Sequence, residues 1–160
     1  MLIAFTDGSS LGNPGRAASA HVLVRDGVLL EARARPLGQG TNNLAEVIAA
    51  RDALFRAVEL ADAGEPVVLV ADSTYVLDGL PVAGVRARPG YPNNEAWAGV
   101  AEALDALACA GHALYSRWVA GHSGTPCNEL CDRLARAAAS DQVAKRAVAK
   151  EDHEHARSSV

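Results

Sequence analysis

The sequence predicts an α/β fold built on a five-stranded mixed sheet, three antiparallel strands followed by two parallel ones, with helices flanking it. Three observations carry this. The dipeptide Asp26-Gly27 sits between two apolar, partly alternating runs, which is the signature of a two-residue hairpin. A long amphipathic stretch from about Thr41 to Ala63 separates two short apolar runs, which is a strand–helix–strand crossover of right hand. A further apolar run over 113–119 precedes a last helical stretch. The 160 residues are 49% hydrophobic, enough to bury one domain's core.

Taken in order, Met1 to Asp7 reads as a buried strand with Leu2, Ile3 and Phe5 apolar, and it ends on a carboxylate. Gly8 to Gly15, with Gly12-Asn13-Pro14-Gly15, reads as turn chemistry. Ala17 to Arg25 and Val28 to Pro36 are the arms of the hairpin. In the second arm Leu30, Ala32 and Ala34 alternate with Glu31, Arg33 and Arg35, as on a strand with one wet face. Gly38-Gln39-Gly40 then breaks the strand. Thr41 or Asn42 caps the long helix, whose apolar stripe includes Leu44, Val47, Ile48, Leu54 and Val58. Pro66 to Ala71 is a fourth strand that also ends on an aspartate, Asp72. Parallel to the first, it places Asp7 and Asp72 at the same sheet edge.

Ser73 caps a short helix, residues 81–92 read as a loop, and Asn93 or Asn94 caps a helix that Gly111 stops. The fifth strand, Ala113 to Val119, leads into the loop Gly121-His122-Ser123-Gly124. Thr125 with Pro126 then opens a helix that runs to about Ala139. The expected domain is residues 1–140. The charged, alanine-rich residues 141–160 are expected to be a frayed helix or disordered tail.

Composition narrows the function. The formal charge of −4 excludes a broadly basic surface, so any anionic partner has to be met by local positive charge, such as a bound metal. Three cysteines, Cys109, Cys127 and Cys131, without framework spacing point to a reducing, cytoplasmic setting. The chain opens without a basic segment followed by an apolar one, and no apolar run approaches the ~20 residues of a membrane span, so neither a signal peptide nor a membrane partner is expected.

Asp7 and Asp72 carry the chemistry of interest. Aspartate is disfavoured in strands, and one at a strand end is often only a turn former. Two from neighbouring strands form a cluster that persists by sharing a proton or by binding cations. Glu46 lies in the first turn of the long helix beside Val47 and Ile48; it reads either as a dipole-stabilised surface carboxylate or as a third member of the cluster. Asp132, near Leu130, Cys131 and Leu134, reads either as a surface charge paired with Arg136 at i+4 or as a fourth member. His122 with Cys127 and Cys131 lacks the fourth soft ligand of a zinc site at a usual spacing. Trp97 reads either as a core residue or as a stacking surface for nucleic acid.

Five segments together resemble one family. They are Phe5-Thr6-Asp7-Gly8-Ser9 with Gly12-Asn13-Pro14-Gly15; Thr41-Asn42-Asn43-Leu44-Ala45-Glu46; Ala71-Asp72-Ser73-Thr74-Tyr75-Val76; Trp118-Val119-Ala120-Gly121-His122-Ser123-Gly124; and Asn128-Glu129-Leu130-Cys131-Asp132-Arg133-Leu134-Ala135. In this order they are similar to type 1 ribonuclease H. The resemblance implies the ribonuclease H-like fold and an endonuclease that cuts the RNA strand of an RNA–DNA hybrid, leaving 5′-phosphate and 3′-hydroxyl ends. It implies that Asp7, Glu46, Asp72 and Asp132 hold two Mg²⁺ ions, with Mn²⁺ as a substitute, and that Asp7 bridges them. It makes His122 a mobile-loop residue that helps proton transfer or product release, and Gly8, Ser9, Asn13, Asn42, Asn43 and Ser73 contacts to the hybrid near the cut, with Asn128 close to the loop and site. A monomer is expected. The alternatives are a non-catalytic hybrid-binding module and a nuclease of the same fold acting on DNA. The chain departs from many bacterial members in two places. Leu80 to Pro92 has no lysine or tryptophan and only Arg86 and Arg88, and Thr74 stands where a glutamine is common. Both departures bear on substrate affinity rather than on the carboxylates.

Overall fold

The structure is a computed structural model that describes residues 1–157, with side chains through Asp141. Five strands, β1 (Leu2–Leu11), β2 (Gly15–Arg25), β3 (Val28–Gly40), β4 (Val67–Ala71) and β5 (Leu114–Trp118), form one sheet in the order β3-β2-β1-β4-β5. The β1/β2 and β2/β3 pairs are antiparallel, and the β1/β4 and β4/β5 pairs are parallel. This is the mixed sheet the sequence predicts. The hairpin turns on Asp26 (φ 51°) and Gly27 (φ 80°), the two positive-φ positions that a two-residue turn between twisted strands demands.

Helix α1 (Asn42–Leu60) is capped by Thr41, whose Oγ1 accepts from the Leu44 N–H at 3.2 Å. Helices α2 (Thr74–Leu77), α3 (Ala83–Arg86) and α4 (Asn94–Cys109) follow β4, and α5 (Pro126–Arg157) follows β5. Two cores result, one on each face of the sheet. Leu2, Ala4, Leu23, Val67 and Leu69 pack under α1 and α4 with Leu54, Val100 and Leu107. Ala20, Val22 and Val24 pack under α5 with Cys131 and Ala135, and Phe5 rests against them. Burial of these apolar side chains supplies the main driving force for the layered arrangement.

Several boundaries differ from the sequence reading. β1 does not end at Asp7; it runs to Leu11, and only Gly12, Asn13 and Pro14 form the turn. The reason lies in the partners. Pairing with β4 stops at Thr6↔Ala71, while pairing with β2 continues through Gly8↔Ser19 to Leu11↔Arg16. Asp7 and Asp72 are each the first residue past the end of the shared parallel ladder. β3 likewise continues through Gly38 to Gly40, paired to β2 with an irregularity at Ala17/Ala18 that absorbs the extra residue. Helix α1 stops at Leu60, and residues 81–92 contain a 3₁₀ turn (Leu80–Val82) and α3 rather than loop alone. α5 continues past Ala139. In the segment expected to be a frayed helix or disordered tail, the backbone is helical as far as Arg157, and residues 158–160 lie outside the described residues.

Candidate active site

The end of the β1/β4 ladder brings four elements together: β1 with Asp7, α1 with Glu46, the residue after β4 with Asp72, and α5 with Asp132. They line a groove of about 620 Å³. Among the described residues, Asp7, Glu46 and Asp72 form a cluster in which a ligand oxygen from each lies within 4.8 Å of the others. Asp132 lines the same groove but stands outside this tight cluster.

Two close packings fix the triad. Gly8 lies against the first turns of α1, and a Cβ there would meet the Glu46 nitrogen at 2.3 Å and the Ala45 carbonyl carbon at 2.6 Å. Only glycine lets β1 and α1 approach so closely, and that approach sets Glu46 beside Asp7. The Gly8 N–H also donates to Asp7 Oδ1 at 2.8 Å. On the other side, buried Asn128 donates from Nδ2 to Asp72 Oδ2 at 3.3 Å. Asn42 Nδ2 lies 3.5 Å from Glu46 Oε1, at the limit of a hydrogen bond, while Glu46 Oε2 is buried with no partner.

The electrostatics are those of an acid cluster without its counter-charge. Burial, then the charges of Asp72 and Asp132, raise the Asp7 carboxyl to about 7. Burial, then Asp7 and Asp72, raise Glu46 to about 10. Burial and like charge both disfavour the ionised forms, and an orphaned carboxylate oxygen is left facing its neighbours. A divalent cation relieves all three conditions at once, so the residues present fit a metal.

The remaining predicted positions divide. Gly8, Ser9, Asn42, Asn43 and Ser73 line the groove. Ser73 Oγ also caps α2 by accepting from the Val76 N–H at 3.4 Å. Asn13 does not line the groove; its Oδ1 accepts from the Asn42 N–H at 3.2 Å and so steadies the entry to α1. Asn128 is 2% exposed, and it reaches the site through Asp72. His122 is exposed at a positive φ of 54°, with Nδ1 4.0 Å from Asp132 Oδ2. Cys131 is buried and its thiol donates to the Phe5 carbonyl, and among the described residues it forms no ligand cluster with His122 and Cys127. Trp97 is fully buried in the α1/α4 core. Arg86 is held between the Tyr75 and Trp97 rings, 4.9 Å from each centroid, and donates to the Tyr75 carbonyl, which leaves Arg88 as the exposed cation of that segment.

Sequence reasoning gave no role to five further groove residues, Ser10, Leu11, Tyr75, Glu129 and Arg136. Tyr75 and Glu129 stand inside the motif segments, and Arg136 was legible only as a helix-surface partner of Asp132.

The RNase H family model matches residues 1–140. A Ribonuclease H of Treponema pallidum subsp. pallidum is 38% identical over 86% of this chain and 90% of the relative. Among solved structures, RNase H1 of the halophilic archaeon Halobacterium salinarum NRC-1 superposes with a TM-score of 0.66 at 31% identity, covering 88% of this chain and 98% of that one. LC11-RNase H1 in complex with an RNA/DNA hybrid shares the fold, with a TM-score of 0.63 at 23% identity over 86% of this chain and 99% of that one.

Proposed function

This chain belongs to the RNase H family and is a ribonuclease H, and we propose that it hydrolyses the RNA strand of RNA–DNA hybrids with divalent metal, leaving 5′-phosphate and 3′-hydroxyl ends. The observation that carries this reading is the buried triad Asp7, Glu46 and Asp72, with Glu46 Oε2 unpartnered. A groove lined by these acids together with Asp132 and Glu129 repels a polyanion unless cations lie between them. The hybrid bound by the structurally similar LC11-RNase H1 supports the choice of substrate.

Asp7, Glu46, Asp72 and Asp132 would hold two Mg²⁺ ions, or Mn²⁺ in their place; the all-oxygen donor set suits these hard cations. When bound, such ions polarise the phosphate, lower the pKa of the attacking water and stabilise the departing 3′-oxygen. The chain's own residues do the rest. Asp7 is held by the Gly8 amide at the centre of the cluster, and Asn128 fixes the Asp72 carboxylate that faces it. Ser9, Asn42, Asn43 and Ser73 offer short donors and acceptors along the groove, suited to 2′-hydroxyls in the wide minor groove of a hybrid. The Ser73 hydroxyl accepts from the Val76 N–H, which leaves its proton free for substrate. His122, on its exposed loop with Nδ1 4.0 Å from Asp132 Oδ2, would hand a proton to the departing 3′-oxygen or take one from the attacking water.

The reading takes residues 1–140 as the catalytic unit, with 141–160 as an appended tail, and the enzyme as a monomer. Among the described residues no helix is long and apolar enough to cross a membrane. The free thiols of Cys109, Cys127 and Cys131 support a reducing, cytoplasmic compartment. The test is cleavage of a labelled RNA–DNA hybrid, duplex DNA and duplex RNA, each with Mg²⁺ and with excess chelator. Cleavage of the hybrid's RNA strand only, abolished by chelator, is expected. Preferred cleavage of duplex DNA, or binding without cleavage, selects the other functions this fold can serve, and hybrid cleavage that survives chelation refutes the metal role.

A further inference from the structure

We infer that Arg136 is a built-in counter-ion of Asp132 that competes with a divalent cation for this carboxylate and so sets how much metal the enzyme requires. The inference rests on the metal-dependent reading above and concerns how this chain controls it.

The four carboxylates are not equivalent. Asp7, Glu46 and Asp72 form the tight cluster, and no arginine, lysine or histidine among the described residues pairs with any of them. Asp132, by contrast, accepts from Arg136 Nε at 2.7 Å through Oδ1. A second arm of the same guanidinium lies 3.4 Å from His122 Nε2, and His122 Nδ1 lies 4.0 Å from Asp132 Oδ2. The i,i+4 spacing on α5 puts Asp132 and Arg136 on one helix face, and both line the groove. The site therefore has two halves. One is a largely buried triad with no side-chain cation paired to it among the described residues. The other is a partly exposed carboxylate that already has a positive charge tethered to it.

A cation that is to engage Asp132 would meet that guanidinium. It must displace Arg136 from Oδ1, or bind through Oδ2 beside a like charge; both weaken it. A cation held by the triad alone is spared most of this. The arrangement thus makes the Asp132-side cation the weaker one, and frees Arg136, once displaced, at the rim of a groove that receives phosphates. A pair that served only the helix surface would leave cation binding alone.

The test is calorimetric titration of Mn²⁺ into substrate-free protein, for the wild type, Arg136→Gln, Arg136→Lys, the double variant Arg136→Gln/Asp132→Asn, and Asp7→Asn. Arg136→Gln is expected to tighten the weaker binding event by about 1.4-fold to fivefold, the range of one exposed charge interaction, and to leave the stronger event unchanged. A second event seen only in Arg136→Gln is the same result. The double variant is expected to lose the gain, and Arg136→Lys, which keeps the charge, to stay near the wild type. Half-maximal hydrolysis by Arg136→Gln should move to correspondingly lower Mg²⁺. An Arg136→Gln isotherm that superimposes on the wild type overturns the proposal, as does an equal gain in Arg136→Lys. Unaltered cation binding by Asp7→Asn would instead overturn the metal reading of the whole site, a distinct failure. Arg136 is exposed, so all the single variants at this position are expected to fold.

Discussion

Replacing Gly8 with alanine probes the contact on which the triad is built. The added methyl carbon would stand 2.3 Å from the Glu46 nitrogen, 2.6 Å from the Ala45 carbonyl carbon and 2.9 Å from the Ala45 Cβ. Two of these atoms are backbone within the first two turns of α1, so no side-chain rotation relieves the clash. Opening the shortest approach to an ordinary contact of about 3.4 Å moves the start of α1 away from β1 by about 1 Å. Glu46 moves with it. Overpacking of this kind costs about 1–3 kcal/mol of stability, and a displacement of about 1 Å at reacting groups costs on the order of 100-fold in rate. Gly8→Ala should therefore unfold at lower denaturant with an unchanged m-value, and its kcat on an RNA–DNA hybrid at saturating Mg²⁺ should fall roughly 100-fold. The two effects are separable, because the rate is measured on folded protein well below the unfolding transition. An alanine variant with wild-type stability and wild-type kcat would refute the reasoning, since it would show that β1 and α1 are free to part without disturbing Glu46.

Three further outcomes are expected. Asp7→Asn should lose hydrolysis by at least about 1000-fold, in line with removal of a central charge-stabilising group, while the metal-free protein becomes more stable at pH 8. The sign follows from the raised carboxyl. Asp7 contributes full stability below its ordinary value near 3.8 and loses it as pH rises through about 7, so the gain from asparagine should vanish below pH 4; thermal melts across pH without metal check it. Asn128→Ala should leave Asp72 Oδ2 without its donor and cost about 1–3 kcal/mol in melts. Half-saturation should need more Mg²⁺, with hybrid affinity in Ca²⁺ unchanged, and a weaker hybrid complex would instead make Asn128 a substrate contact. Glu31, held down to about 2 by Arg56 and then by His21, contributes stability that is complete above its ordinary value of 4.5 and is lost as pH falls toward 2. Glu31→Gln should flatten the stability profile between pH 4.5 and 2, and an unchanged acid limb in denaturant titrations would count against that role.

Much of this protein is determined by the sequence alone. The Asp26-Gly27 turn, the Thr41 cap and the Pro126 start depend on neighbours a few residues away, and all stand where local chemistry puts them. The carboxylates Asp7 and Asp72 were legible because each closes an apolar run, and the ordered motifs tied Glu46 and Asp132 to them. What the sequence left undecided depends on partners far along the chain. β1 continues past Asp7 because β2 continues to pair with it after β4 has stopped, and no local signal marks where a neighbour ends. Trp97 lies in the core, one of the two readings its sequence left open, and the Arg86 guanidinium is taken up by the Tyr75 and Trp97 rings. Asn128, in the first turn of α5, became a buried support for Asp72, 56 positions away. Local chemistry chose the residue types, and only the packed sheet and helices decided which charges meet, which are buried, and which one arrives already paired.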